Sequence, residues 1–453
     1  MTRIERDQLG EMALPAAALY GLQSLRAKVN FPDLGRTVNL HLIKAIVQIK
    51  KAAAQTWAEI DSERSLVFQA IAWAADEILA GRFLEAFIVP ALQGGAGTST
   101  NMNCNEVLAN LALSHLGQAK GDYSLCHPLD DVNRGQSTND VYPTALRIAA
   151  IGWLRKLSQA AADLQEALQI KENVFAKIAK LGRTELMDAV PITLGEEFGA
   201  YAQSLARDRW RLYKMEERLR EINLGGQAVG LADRRGKKFR FGLIERLRQA
   251  TGIGLAASEY PMDVTQNNDV FVEVSGLLKA LAVNLQKIAG DFRLMNSGPF
   301  GGLGEIKLAP LQLGSTIMPG KYNPVIPEMA ICASFTVMAN DLALTLAASR
   351  GELELNAFSP IIAETLLESL ELLTKVTEIF KSKAVENLEA DPERCQELLG
   401  RSLALAAEYA PILGHDLVGK IIAQNSGRPD LALAALEASK AIVLKSKNGL
   451  TSN

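Results

Sequence analysis

Val270 to Met295 reads VFVEVSGLLKALAVNLQKIAGDFRLM. Within it Val274, Leu277, Leu281, Leu285, Ile288, Phe292 and Met295 follow one another in steps of three or four, the spacing that lines one face of an α-helix. A helix over this stretch extends about 40 Å at 1.5 Å per residue, further than a small domain is wide. Working outward, the same stripe returns toward the N-terminus at Leu146, Ala150, Leu154, Leu157, Ala161, Leu164 and Leu168. Toward the C-terminus it returns at Ile362, Leu366, Leu370, Leu373 and Phe380, within Ser359 to Lys383. Alternating β-branched runs of strand type are scarce. The chain therefore reads as mainly α, with long helices lying side by side in an elongated bundle whose flanks one subunit cannot cover alone.

The bulk numbers fit that reading. Of 453 residues, 48% are hydrophobic and 22% charged, enough apolar material for a large core and too even a mixture for a disordered chain. At about 150 residues per domain, the length suggests roughly three domains. A formal charge of -3 points to neither nucleic acid nor an anionic membrane as partner. Cys104, Cys126, Cys332 and Cys395 form no CxxC pair, which suits a reduced compartment. The N-terminal MTRIERDQLGEMALP carries charges where a secretory signal needs an apolar run. No stretch reaches the roughly 18 uninterrupted apolar residues of a membrane span. A cytoplasmic protein without a membrane partner is expected. His41, His115, His127 and His415 lie far apart, so neither a metal site nor a cofactor is expected.

Between the helical stretches lie polar, glycine-rich islands: GGAGTSTNMN (Gly94 to Asn103), HPLDDVNRGQSTND (His127 to Asp140), GRTELMDAVP (Gly182 to Pro191) and NSGPFGGLGEIKLAPLQLGSTIMPGKYNP (Asn296 to Pro324). Any one of them alone is a plain helix connection, since Gly, Ser, Thr and Asn are the usual turn and capping residues. The last is not a phosphate loop: five residues separate Gly314 from Gly320, and Tyr322 follows Lys321 where a Ser or Thr is needed. What the islands share is a set of hydroxyls and amides, Thr98, Ser137, Thr138, Asn139, Thr184, Ser315 and Asn323, with one cation, Lys321. Neutral donors around a point charge suit small carboxylates.

GSTIMPGKYNP resembles the GSSIMPGKVNP signature of the aspartase/fumarase superfamily. GGAGTSTNMNCNEVLAN, HPLDDVNRGQSTNDVYPTALRIA and GRTELMDAVPITLGEEF resemble the other family blocks in the same order, and LGEMALPAAALYGLQSLRAKVNF resembles its opening segment. The resemblance runs from about Glu5 to at least Lys420 and implies a three-domain fold: an N-terminal, mainly helical part (1–136), a long-helix bundle (137–387) carrying the catalytic loop 296–324, and a small helical C-terminal part (388–453). It further implies a homotetramer in which each active site takes blocks from three subunits, and an anti-elimination through a carbanion delocalised into the adjacent carboxylate.

By that resemblance Ser315 is the base. Lys321, Asn323 and Thr184 hold the carboxylate next to the abstracted proton, Ser137 and Thr138 hold the distal carboxylate, and Thr98 and Asn139 contact the leaving group. The glycines between Gly298 and Gly314 give the loop freedom to open and close. Thr265 to Pro299 and the NPVIPE tail resemble aspartases more than fumarases. Glu185 departs from the family, standing where a histidine or glutamine is usual. Together with Glu328 it implies two carboxylates around the leaving group, which either share a proton or hold a cation. A carbon–nitrogen lyase acting on aspartate is the leading expectation. An ergothionase-like amine-lyase on a substituted or betaine-type amino acid, a fumarate hydratase and a non-catalytic homologue are the alternatives. Tyr322, where the family has a small aliphatic residue, either reshapes the pocket or packs as an ordinary loop residue.

Overall fold

The computed structural model describes residues 1–231 and 236–449, so the end of the polar tail Lys445 to Asn453 lies outside the described residues. A hairpin of β1 (Thr2–Asp7) and β2 (Gly10–Pro15) precedes α1 (Leu22–Asn30), α2 (Leu40–Ile60), α3 (Ser65–Leu79), α4 (Thr98–His115) and α5 (Thr138–Val174). A second hairpin, β3 (Ala179–Thr184) and β4 (Met187–Thr193), leads into α6 (Leu194–Leu219). Two-residue strands β5 (Glu221–Ile222) and β6 (Ala256–Ala257) flank α7 (Lys237–Thr251), followed by α8 (Pro261–Gln266) and α9 (Asp269–Met295). The remainder is β7 (Ile306–Lys307), α10 (Val325–Ala348), α11 (Ser359–Phe380), β8 (Glu389–Ala390), α12 (Pro392–Gly400), α13 (Ala410–Leu413), α14 (His415–Gln424) and α15 (Pro429–Gly449).

The molecule is mainly α, as its periodicity predicts. The stripe at 270–295 becomes α9 almost to the residue. Two islands are more ordered than their composition suggests. GRTELMDAVP forms the tip of the β3–β4 hairpin with most of its residues in the two strands, and α5 begins eight residues before its apolar stripe, inside the island at Thr138.

Contacts divide the chain into two compact units, Met1–Gln159 with Trp210–Ala282 and Ser334–Thr374, and Ala160–Arg209 with Val283–Ala333 and Lys375–Asn453. In the first, α2 buries Leu42, Ile43, Ile46 and Ile49 against α3, which supplies Phe68, Ile71 and Ile78 and packs in turn on α4 through Val107, Leu108 and Leu111. Helix α1 has no capping side chain of its own. The buried Glu106 of α4 takes that role, accepting the N–H groups of Gly21, Gln23 and Ser24 at 2.8–3.1 Å, where the positive end of the helix dipole favours a carboxylate.

In the second unit Phe175, Phe198, Phe292 and Phe380, from the ends of α5, α9 and α11 and from α6, form a chain of rings with successive centroids 5.2, 5.5 and 5.4 Å apart. Each ring is buried and stabilises the unit by about 1.5–3 kcal/mol. Ala406, Val418, Ile421 and Leu436 make a smaller core among the C-terminal helices.

Candidate active site

In the first unit, two islands meet. Asn101, on the first turn of α4 after Thr98, donates to Thr138 Oγ1 and to Asn133 Oδ1, both at 3.1 Å. The same Asn133 oxygen accepts from Lys50 Nζ at 2.7 Å. Ser137 caps α5: its Oγ accepts the Asn139 N–H, and Asp140 reaches back to accept the Ser137 N–H at 3.0 Å, the reciprocal arrangement of a capping box. Asp140 Oδ2 also accepts the N–H groups of Gly225 and Gln227. Burial pushes its carboxyl up to about 6 against these donors.

Pro143 lies inside α5 and has no N–H for the Asn139 carbonyl. That carbonyl instead accepts from the fully buried Asn223 Nδ2 at 2.9 Å, while Asn139 Nδ2 donates to Ala228 O at 2.8 Å. The proline thus turns a lost helix bond into a brace for the Ser137–Asn139 turn. Thr98 stands exposed at the start of α4. Gly97, just before it, has φ +90 and a hydrogen where any Cβ would lie 2.3 Å from the Tyr142 ring.

The second unit holds the remaining residues. Thr184 ends β3 and pairs with Met187 across a two-residue turn, Glu185 and Leu186, at φ 54 and 64. This φ pattern, positive at both turn residues, favours Asn-Gly. Two bulky residues held there store strain of the kind found at functional sites. Glu185 is exposed to solvent in the single chain.

Ser315 Oγ accepts the backbone N–H groups of Ile317 at 3.2 Å and Met318 at 3.0 Å. Two N–H dipoles aimed at one hydroxyl oxygen are what a serine needs in order to carry negative charge. The loop closes on itself: Gly314 N donates to Lys321 O, and Asn323 Nδ2 donates to Gly314 O, each at 2.9 Å. A Cβ on Gly314 would fall 2.6 Å from that Lys321 oxygen. Ser315, Lys321 and Asn323 are thereby gathered at one closure, with the Lys321 ammonium exposed and Tyr322 half exposed beside it. Glu328, in the first turn of α10, lies 3.7 Å from Arg293.

The structure therefore gathers Ser137, Thr138 and Asn139 in one unit, next to the island that carries Thr98. It gathers Ser315, Lys321 and Asn323 in the other, with Thr184, Glu185 and Glu328 on separate elements of that unit. A cavity of about 640 Å³ beside Tyr20, Trp73 and His115 contains none of them. The buried supports Asn101, Asp140 and Lys50, and the partly buried Asn133 between them, escaped sequence reasoning. Only Asp140 left a signal, the Ser-x-x-Asp spacing of a cap. Among the described residues no group of three or more His, Cys, Asp or Glu is arranged to hold a metal ion.

Residues 10–339 match the sequence family described as Lyase. The aspartate ammonia-lyase of Corynebacterium glutamicum is 42% identical over 94% of this chain and 82% of its own length, and that of Helicobacter pylori strain J99 is 40% identical over 98% and 95%. Among solved structures, fumarate lyase:delta crystallin from Brucella melitensis superposes with a TM-score of 0.92 at 42% identity, covering 98% of both chains. Class II fumarase from Schistosoma mansoni gives 0.91 at 32%, covering 97% and 96%. With ordered islands, helical fold and extended similarity agreeing, the chain belongs to the lyase family of the aspartase/fumarase superfamily and is a lyase.

Proposed function

We propose that this lyase is an aspartate ammonia-lyase, removing ammonia from aspartate by anti β-elimination to give fumarate. The observation that carries the reading is Ser315 Oγ facing two backbone N–H groups in a loop closed by Gly314, Lys321 and Asn323. The Ser315 oxyanion takes a proton from the substrate carbon next to one carboxylate, and the electron pair moves into that carboxylate. Lys321, Asn323 and Thr184 hold the resulting dianionic group. Its collapse forms the double bond and expels the amine from the neighbouring carbon, while Ser137 and Thr138 hold the far carboxylate. Thr98, Asn139, Glu185 and Glu328 surround the leaving group, where anionic side chains favour an ammonium over water.

The working form is a homotetramer with each site assembled from three subunits. Supporting this, α10 leaves Phe335, Leu342 and Leu346 more than half exposed along one stripe of a helix with mean hydropathy 1.5, and exposed apolar stripes of this kind mark protein interfaces. The four cysteines form no disulfide with one another, in keeping with a cytoplasmic protein. The test is incubation with aspartate, following the ultraviolet absorbance of the new double bond together with ammonia. Equimolar appearance of both is expected. Trimethylamine from a betaine-type amino acid, with no ammonia from aspartate, would move the reading to the amine-lyase class that Glu185 also suits. Fumarate hydration without ammonia release would overturn it. Glu185→Gln is expected to lower kcat/KM for the amino acid by about 10-fold, the scale of one charge-assisted contact, and an unchanged value removes Glu185 from the site.

A further inference from the structure

The mechanism leaves unused a cluster of charge buried in the second unit. Glu305 is fully buried, with Lys180 Nζ 2.9 Å from one carboxylate oxygen and Arg183 Nη1 2.8 Å from the other. Lys180 also donates to Glu197 at 2.6 Å. Burial pulls the Lys180 ammonium down, but Glu197 and Glu305 outweigh it and hold the group above its ordinary value. Buried ion clusters are weak sources of stability compared with apolar side chains of the same volume, so the place this one occupies matters more than its energy.

Arg183 immediately precedes Thr184 and Glu185. A register shift between Leu181 and Arg183 re-aims the strand, as bulges do, and sends the Arg183 side chain inward. Among the described residues Thr184 and Glu185 have no side-chain partner of their own, so Arg183 is the nearest anchor of the hairpin tip. Glu305 in turn sits at the root of the Ser315 loop. Its N–H donates to Met295 O, its carbonyl accepts the Asp391 N–H, and Arg394 clasps the preceding carbonyls of Gly302 and Leu303 at 2.9 Å. The root is fastened on every side, whereas Leu311 to Tyr322 is largely exposed.

We propose that Glu305 and Arg183 are positioning residues that lock the Thr184–Glu185 hairpin tip to the root of the Ser315 loop, so that both are carried as one piece. This rests on the lyase reading of Ser315 and Thr184. Glu305→Gln removes the charge. Arg183→Gln removes the link at the partly exposed end and leaves the Lys180–Glu305 pair to hold the fold. In each variant, amide hydrogen exchange is expected to rise together at residues 181–190 and 300–307 by about tenfold, with α2 and α3 unaffected. Turnover of aspartate per folded site is expected to fall roughly 100-fold, as a displacement near 1 Å produces, with KM within about threefold. The double variant should be no worse than the more impaired single one, since the two residues act as one link. Unchanged exchange at the hairpin, additive losses in the double variant, or kcat retained within about twofold while only Tm drops would each overturn the proposal. If the wild-type protein releases no ammonia from aspartate, the aspartate ammonia-lyase reading fails, and the exchange measurement still decides the link.

Discussion

In the proposed mechanism the Ser137–Asn139 turn holds a carboxylate and the Ser315 loop supplies the base, and the two are built by opposite means. The turn is braced from below: Asn101, Asp140 and Asn223 are each buried, and the Ala228 carbonyl receives the Asn139 amide. The loop is held at its root and then by its own closure at Gly314, through the Lys321 carbonyl and the Asn323 side chain, with Leu313 and Ile317 about four-fifths exposed. A group that only has to bind can be frozen in the core. The proposed base must meet the substrate after it enters, and it sits on an exposed segment that could rearrange without unfolding the protein.

Four measurements would break or sharpen that contrast. Ser315→Ala is expected to lower kcat by about 1,000-fold, within the range of a lost general base. Affinity for succinate, a dicarboxylate lacking the amine, should change by less than about threefold in calorimetry, because the distal carboxylate is held elsewhere. Joint loss of both would mean that loop and turn are not separable.

The glycines come next. At Gly97, where φ is +90 and a Cβ would meet the Tyr142 ring, alanine should destabilise the fold by about 3 kcal/mol in denaturant unfolding. At Gly314, alanine should leave stability within about 1 kcal/mol, because the loop is exposed. It should nonetheless cut kcat by about tenfold or more, because the closure that aligns Ser315 is pushed apart. The reverse pattern would refute the contrast outright.

Asn101→Ala removes the donor to Thr138 Oγ1, while Asn133 Oδ1 keeps that of Lys50 Nζ. The expected effect is about 1–2 kcal/mol in substrate binding, read as a KM raised about 5–30-fold with kcat nearly unchanged.

The smallest effect is electrostatic. Burial pulls the Lys50 ammonium down to about 7, against the opposing pull of the Asp140 carboxylate. Since this lies below its ordinary 10.5, the unfolded chain binds the proton more tightly between pH 7 and 10.5. Stability from this group therefore rises with pH across that window and is flat below it. Asp140 is ionised throughout the window and the Cys104 thiol, pushed up to about 12, is not. Lys50→Met should flatten the slope in urea unfolding measured at several pH values.

Much of this was legible beforehand. The stripe from Val274 to Met295 specified α9 because a 3.6-residue repeat needs no partner to be recognised. The four islands, met in order, pointed to the family and to Ser315. The start of α5 at Thr138 was less accessible, since its first turn is polar and Pro143 reads as a helix breaker. Only Asn223, eighty positions away, supplies the bond that makes the proline tolerable. The β3–β4 hairpin escaped for a similar reason: Glu-Leu is not a hairpin turn pair, and its strained φ values are imposed by the surrounding strands.

By itself, then, the order of residues determined the helical class, the chemical groups available and the loop that carries Ser315, because periodicity and residue chemistry are local properties. Tertiary structure decided that Asn101 and Asp140 brace Thr138 and Ser137, that two N–H groups point at the Ser315 oxygen, and that a buried Glu305 joins Arg183 to the loop root. These are contacts between groups distant along the chain or set by backbone direction, and they come into being only once burial has removed water as the competing partner.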